Sequence, residues 1–325
     1  MTAMLRSAVA LFTETVGEWY EDRAPRLGAA LAYYMVFALA PGLIFIISVA
    51  ALVLGEEQAR SHILAEVRDL AGSNTAEALQ ATMDGVRREG GGLLATSLGI
   101  VTLLFGLWGV FGELQDALNM IWGVTAKPGR GVLAIIKERF WSFTMVVGVG
   151  FLLLVSLALS AWIAAMGTFM GGALAVPAAL LEAINAVFST VVVALMFAMI
   201  FKLLPDVTIA WRNVWLGAAV TALLFTAGKS LIGLYLGRTA VGSAYGAAGS
   251  LIVILIWIYY SAQILFFGAE FTKVYTRRAG ARVVPEGPAV PMSDVTRAKQ
   301  GMDRSERVPL AERREKRKRG RLTRK

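Results

Sequence analysis

Four carboxylates and one ammonium stand where ionisable groups are hardest to keep. Glu113, Asp116, Asp206, Glu270 and Lys229 lie inside, or at the ends of, long uncharged stretches. Charges in such surroundings mark a path for a substrate, ion or proton by default. A zinc-type centre needs histidine, cysteine and carboxylate ligands in a cluster, and the chain has one histidine, His62, and no cysteine. Two-metal nuclease chemistry on carboxylates alone needs several Asp or Glu to converge, and these four carry no metal-ligand motif. The reading is therefore a non-enzyme with no metal and no cofactor.

Spacing adds a path. Gly92, Gly99 and Gly106 recur every seven residues, and their helical face runs on to Glu113 and Asp116. Small residues let a neighbouring helix approach closely. The stripe would deliver both carboxylates to a packed interface or a cavity mouth; the other reading leaves them solvated among headgroups. Lys229 lies six residues from Leu223, the midpoint of its stretch, or roughly 9 Å toward one end. Its ammonium either snorkels to the headgroups or turns inward to an anionic headgroup or Glu182. Glu270 stands three residues from Lys273, which reads first as an exposed rim ion pair worth about 0–1 kcal/mol.

The elements that position these groups are membrane spans. Of 325 residues 57% are apolar and 17% charged, and mean hydropathy is +0.62. A soluble domain is about half apolar and about a quarter charged. The composition excludes a soluble two-domain enzyme and a disordered chain, and the absence of cysteine excludes a secreted disulfide scaffold. A span needs roughly 20 apolar residues. Six stretches qualify, at about 27–54, 92–112, 143–169, 181–203, 211–236 and 247–271, with Gly171, Gly172 and Pro177 breaking the long run between the third and fourth. Pro41 is expected to kink the first. Their continuous rather than alternating apolarity excludes a β-barrel, so the expected fold is an all-α integral membrane domain over 27–278.

Even spans put both termini on one side. That side collects 26 Lys and Arg against five on the other, and the positive-inside rule makes it the cytoplasm. Outside, residues 55–91 show two short apolar stripes around Gly72–Ser73 and read as a small helical hairpin. Residues 1–26 place Leu5, Val9, Phe12, Val16 and Trp19 at helical spacing, as in an interfacial helix or an extension packed on the sixth span. Residues 279–325 hold 14 basic and six acidic residues and read as a disordered polybasic cytoplasmic tail. Its terminal run, nine basic residues in fourteen, suits anionic lipid. No aromatic residue follows position 276, so a stacking platform for single-stranded nucleic acid is missing.

Four segments carry a family resemblance: GAALAYYMVFALAPGLIFII, LWGVFGELQDALNMIWGV, LPDVTIAWRNVWLGA and YGAAGSLIVILIWIYYSAQILFFGAEFT. Together, over about residues 10–278, the chain resembles the YihY / virulence-factor BrkB-like inner-membrane proteins, once labelled ribonuclease BN. The resemblance implies six spans with cytoplasmic termini in the inner membrane. It supplies no settled activity and no catalytic residues. The leading expectation is transport or flipping of an amphipathic or anionic lipid-like substrate, with Glu113, Asp116, Lys229 and Glu270 along the path. The alternative is a structural protein of the envelope. Membrane lipids are the expected partners; substrate, coupling ion and oligomeric state are not legible.

Overall fold

The computed structural model describes residues 2–71, 93–127, 178–238 and, with a few positions omitted, 249–300, together with isolated positions between 73 and 84. The first helix, α1 (Thr2–Glu21), turns sharply into α2 (Ala24–Leu54). The corner is made by Arg23, whose φ of 54° is left-handed, a conformation that costs a residue with a side chain. Pro25 then sits in the first turn of α2, where its fixed φ suits a helix start. The helix runs unbroken through Pro41 to Gly55, whose φ of 82° requires a residue without Cβ. Next, α3 (Glu56–Ala71) begins with two glutamates and ends with Arg68, charges that complement its dipole.

Four more helices follow: α4 (Leu93–Ile121), α5 (Ala178–Leu203), α6 (Trp211–Arg238) and α7 (Gly249–Arg278). Five of the six expected spans therefore coincide with long helices, and the stretch 143–169 lies outside the described residues. Among the described residues, three windows are long and apolar enough to cross a membrane: Ala186–Leu203, Trp211–Tyr235 and Leu251–Arg278. Of the hairpin expected over 55–91, α3 is described, and Arg60 pairs with Asp84; the rest of that stretch lies largely outside the described residues.

In lipid, helix association is driven by packing and polar contacts rather than by apolar burial, and the contacts here are close. At one level of α6 and α7, Gly217 faces Thr272 and Thr221 faces Gly268; a Cβ on either glycine would stand 1.8 or 1.9 Å from the opposing hydroxyl. Each threonine donates to the carbonyl of its own helix, Thr221 to Gly217 and Thr272 to Gly268, both at 2.7 Å. The hydroxyls are thus satisfied without a partner helix. The remaining order is α5 on α6, α7 on α2, and α2 on both α3 and α4. At the α2–α4 crossing an added Cβ on Gly106 would stand 3.0 Å from the Cα of Ala38. Gly92 lies outside the described residues, as do the surroundings of Gly99.

The chain departs from purely helical at one end of the bundle. Val124–Ala126 (β1) pairs antiparallel with Ala289–Pro291 (β4), and Val207–Thr208 (β2) with Val284–Pro285 (β3). A disordered tail from 279 is therefore corrected over 284–291, which forms a strap across the ends of α4 and α5. Backbone pairing was hidden because the strap is Pro- and Gly-rich and only two or three residues pair at a time. Ala289 joins the main core with Leu118, Ile121, Phe201 and Phe266.

Candidate functional site

The densest concentration of charge in the described structure lies where α1 crosses the end of α7. Their spacings match: Glu14 and Glu18 on α1 and Asp22 in the corner just after it recur every four residues, opposite Lys273, Arg277 and Arg278 on α7. Lys273 Nζ is 2.8 Å from Glu18, 2.7 Å from Asp22 and 3.1 Å from Glu270. Its three donors are thereby matched to three carboxylates. Arg277 joins Glu14 and Glu18, Arg278 joins Glu14, and Arg297, six residues beyond the strap, closes on the second oxygen of Asp22.

The cluster is therefore four acids against four bases. Its inner half is dry: the Asp22 and Glu270 side chains are fully buried, and that of Lys273 is 13% exposed. The expected pair Glu270–Lys273 forms, but it is no exposed rim bridge. Here Glu18 and Asp22 close on Lys273, and Arg297 closes on Asp22, a consequence invisible from the local spacing on α7. One oxygen of Glu270 finds no hydrogen-bond partner among the described residues.

Glu18, Asp22 and Glu270 each bring an oxygen within 4.8 Å of the others. A metal could span that distance, but the ammonium of Lys273 already stands among those oxygens. The chain supplies its own cation.

The two exposed-side acids report how tightly α1 is held. The hydrogen bond from Arg277, opposed by burial and reinforced by Arg278, holds the Glu14 carboxyl below the usual range. Burial pushes Glu18 up, but Lys273 and Arg277 outweigh it, and this carboxyl also sits low. A carboxyl depressed in the folded state stabilises at neutral pH, and that contribution fades as pH falls through its folded-state value. The melting temperature should thus be flat near neutrality and fall below about pH 4.3, the ordinary glutamate value. A Glu14→Gln/Glu18→Gln variant should melt lower at neutral pH and show a shallower acid fall. An unchanged acid profile would separate α1 from these charges.

A second polar site anchors the α5–α6 loop. Asn119 and Gln115 of α4 donate to the two carboxylate oxygens of Asp206 at 2.8 and 3.2 Å, and the Asp206 N–H donates back to Asn119 Oδ1 at 2.8 Å. Lys202 closes the same loop, donating to the Ile209 carbonyl at 2.6 Å with its ammonium over the Trp211 ring. The strap completes it, as Glu286 N–H donates to the Asp206 carbonyl at 2.9 Å.

The other predicted residues do not converge on either site. Glu113 is half-buried on α4, with Asp116 and Arg26 as its charged neighbours, and Asp116 is exposed. Lys229 is half-buried on α6, eight residues beyond Thr221. The Thr221–Gly268 contact fixes the level of α7 there, so Lys229 lies roughly 12 Å along the bundle from it. It makes no ion pair among the described residues, and the side chain of Glu182 lies outside them. The cluster on α1 was the main omission from sequence, although the matched four-residue spacings were there to be seen. Arg297 was not findable, because it lies in the segment read as disordered.

Long apolar helices, glycine–threonine crossings and an ion cluster at one end define a helical integral membrane protein. A family profile described as virulence factor BrkB matches residues 15–292. The chain belongs to that family, and the match takes in the strap as well as the helices. It is 29% identical over 257 residues to a UPF0761 membrane protein of Pseudomonas aeruginosa strain LESB58, covering 76% of this chain and 58% of that protein. A UPF0761 membrane protein of Azotobacter vinelandii is 28% identical over 260 residues, 77% of this chain and 59% of the relative. One from Alcanivorax borkumensis is 26% identical over 280, with 83% and 61% covered. The chain thus spans about three-fifths of the length of these relatives. No solved structure matches it.

Proposed function

We propose that the chain is a six-span inner-membrane protein that moves an anionic or amphipathic lipid-like substrate, without enzymatic chemistry. The observation that carries this reading is the buried cluster on the last helix. Glu270 and Lys273 lie within the window Leu251–Arg278, and a fully buried carboxylate there is costly to keep, which by default marks a functional site. In this reading α1 and the strap form the cytoplasmic end, and the cluster locks that end closed. Glu113 and Asp116 stand at the mouth, and Lys229 lies deeper, where an ammonium suits a passing phosphate or carboxylate. The engagement of Asp206 with two amides and of Glu270 with Lys273 supports the non-enzymatic part, because neither carboxylate is aimed at a shared reacting atom.

One observation favours the alternative, a scaffold of the envelope. Every charged group of the cluster is matched by another of the same chain, which is also what a permanent clasp would look like. Movement of labelled anionic lipid in reconstituted vesicles separates the two. The topology is testable first. Ser73→Cys and Ser293→Cys are both at exposed positions in a chain without cysteine. In intact cells an impermeant thiol reagent should mark position 73 and leave 293 untouched until the membrane is opened. Labelling of 293 in intact cells would overturn the orientation.

A further inference from the structure

Three carboxylates share Lys273, and they do not share it equally. Asp22 also has Arg297, and Glu18 also has Arg277. Glu270 has Lys273 alone, at 3.1 Å, the longest of the three contacts. Around Glu270 stand Lys273 of its own helix, and Asp22 and Glu18, each with an oxygen within 4.8 Å. Helices α2, α4 and α6 also pack on α7, and among the described residues they add no charged group to these. The dry inner half therefore sets three acids against two bases, Lys273 and Arg297. The remaining neighbour, Arg277, is 52% exposed and divided between Glu18 and Glu14. A surplus charge in a dry site is costly, and among crowded carboxylates the least supported one takes a proton. The second oxygen of Glu270 is fully buried and has no hydrogen-bond partner among the described residues. Ionised, it is an acceptor without a donor; a proton there removes the charge.

The position of that proton decides what holds α1. Glu270 lies on the same helix as Lys273, whereas Glu18 and Asp22 belong to α1 and its corner. An ionised Glu270 competes with α1 for the ammonium; a protonated one leaves it to α1. The residue after Asp22 is Arg23, exposed and left-handed at φ 54°. Such a conformation persists only where its surroundings impose it, so the ion cluster holds α1 down against a strained corner.

We infer that Glu270 is a proton-binding site: its proton shuts α1 onto α7, and loss of that proton lets α1 lift about the Arg23 corner. Closing takes one proton from the water at that end of the bundle onto Glu270, and opening returns it. By linkage, rising pH then favours the open form. On the acid side a separate limit applies, because Glu14 and Glu18, held low by their partners, release α1 once they protonate in turn. The inference rests on the cluster acting as a lock, and it makes the proton the coupling ion; its test reads the position of α1 and not the movement of lipid.

Thr15 of α1 is fully buried and Thr13 is exposed, in a chain without cysteine. Full-length protein carrying Thr15→Cys or Thr13→Cys would be placed in lipid nanodiscs and treated with an impermeant thiol reagent. The pH series runs from just above the ordinary glutamate range to well below that of lysine. The ratio of the two labelling rates removes the titration of the thiol, which both share once α1 is lifted. In wild type the ratio should start low and climb with pH, approaching about tenfold per pH unit, the slope for one proton. Glu270→Gln should keep it low throughout, and Glu270→Asp should restore the climb. Infrared spectra of the wild type should show the carbonyl stretch of a protonated carboxyl group where the ratio is low, fading over the range where it climbs. A ratio independent of pH in wild type, or an unchanged climb in Glu270→Gln, would overturn the site. Absence of the infrared band would overturn it however the variants fold. A protein that moves no lipid can pass this test, and one that moves lipid can fail it.

Discussion

Lys273→Met is expected to destabilise the protein more than any other single change at the strap end of the bundle. The ammonium is shared among Glu18, Asp22 and Glu270 at 2.7–3.1 Å, and two of those carboxylates are fully buried. Methionine keeps most of the unbranched stem and removes the ammonium with its charge and donors. Breaking a buried ion pair from one side typically costs about 3–5 kcal/mol, because the remaining charge is left in a dry site. Arg278→Met is the control. That side chain is 36% exposed, and losing an exposed pair costs about 0–1 kcal/mol. Melting curves of the solubilised protein should separate the two widely. If they melt together, water reaches the cluster and it is not a lock.

The second large effect is expected at the α6–α7 crossing. Gly268→Ala places a methyl 1.9 Å from Thr221 Oγ1 and 2.8 Å from its Cβ, so a backbone must move. Overpacking of this kind costs about 1–3 kcal/mol, and Gly217→Ala meets Thr272 in the same way. Gly233→Ala meets nothing within 4 Å and should melt at or above wild type, since alanine favours helix over glycine by about 1 kcal/mol. Adding Thr221→Ala to Gly268→Ala should recover part of the loss, a coupling that distant sites do not show. Full additivity would mean that the two residues do not touch.

Long uncharged runs made the helices legible, since span length is set by bilayer thickness and needs no tertiary information. The helix containing Glu113 extends to Ile121 rather than stopping at the first charge, because Leu114, Ala117, Leu118 and Ile121 continue into the core. What escaped the sequence was coupling between distant segments. Asp22 meets Lys273 across 251 residues and Arg297 across 275; no local period encodes such a meeting. The glycine stripe leading to Glu113 has one described contact, Gly106 on Ala38. By contrast, the closest glycine crossings lie on the last two helices, where Gly217–Thr221 and Gly268–Thr272 repeat the same small-residue spacing.

The most direct test of the proposed activity is lipid movement in purified, reconstituted vesicles. A trace of fluorescent phosphatidylglycerol is placed in both leaflets, and an impermeant reductant bleaches the outer one. Wild-type protein should expose the inner-leaflet label to the reductant, with or without an imposed proton gradient according to how movement is coupled, and Lys229→Gln should slow that exposure. Vesicles without protein should keep the inner label. If wild-type vesicles protect it as well as empty ones under both conditions, the chain does not move anionic lipid and the scaffold reading stands.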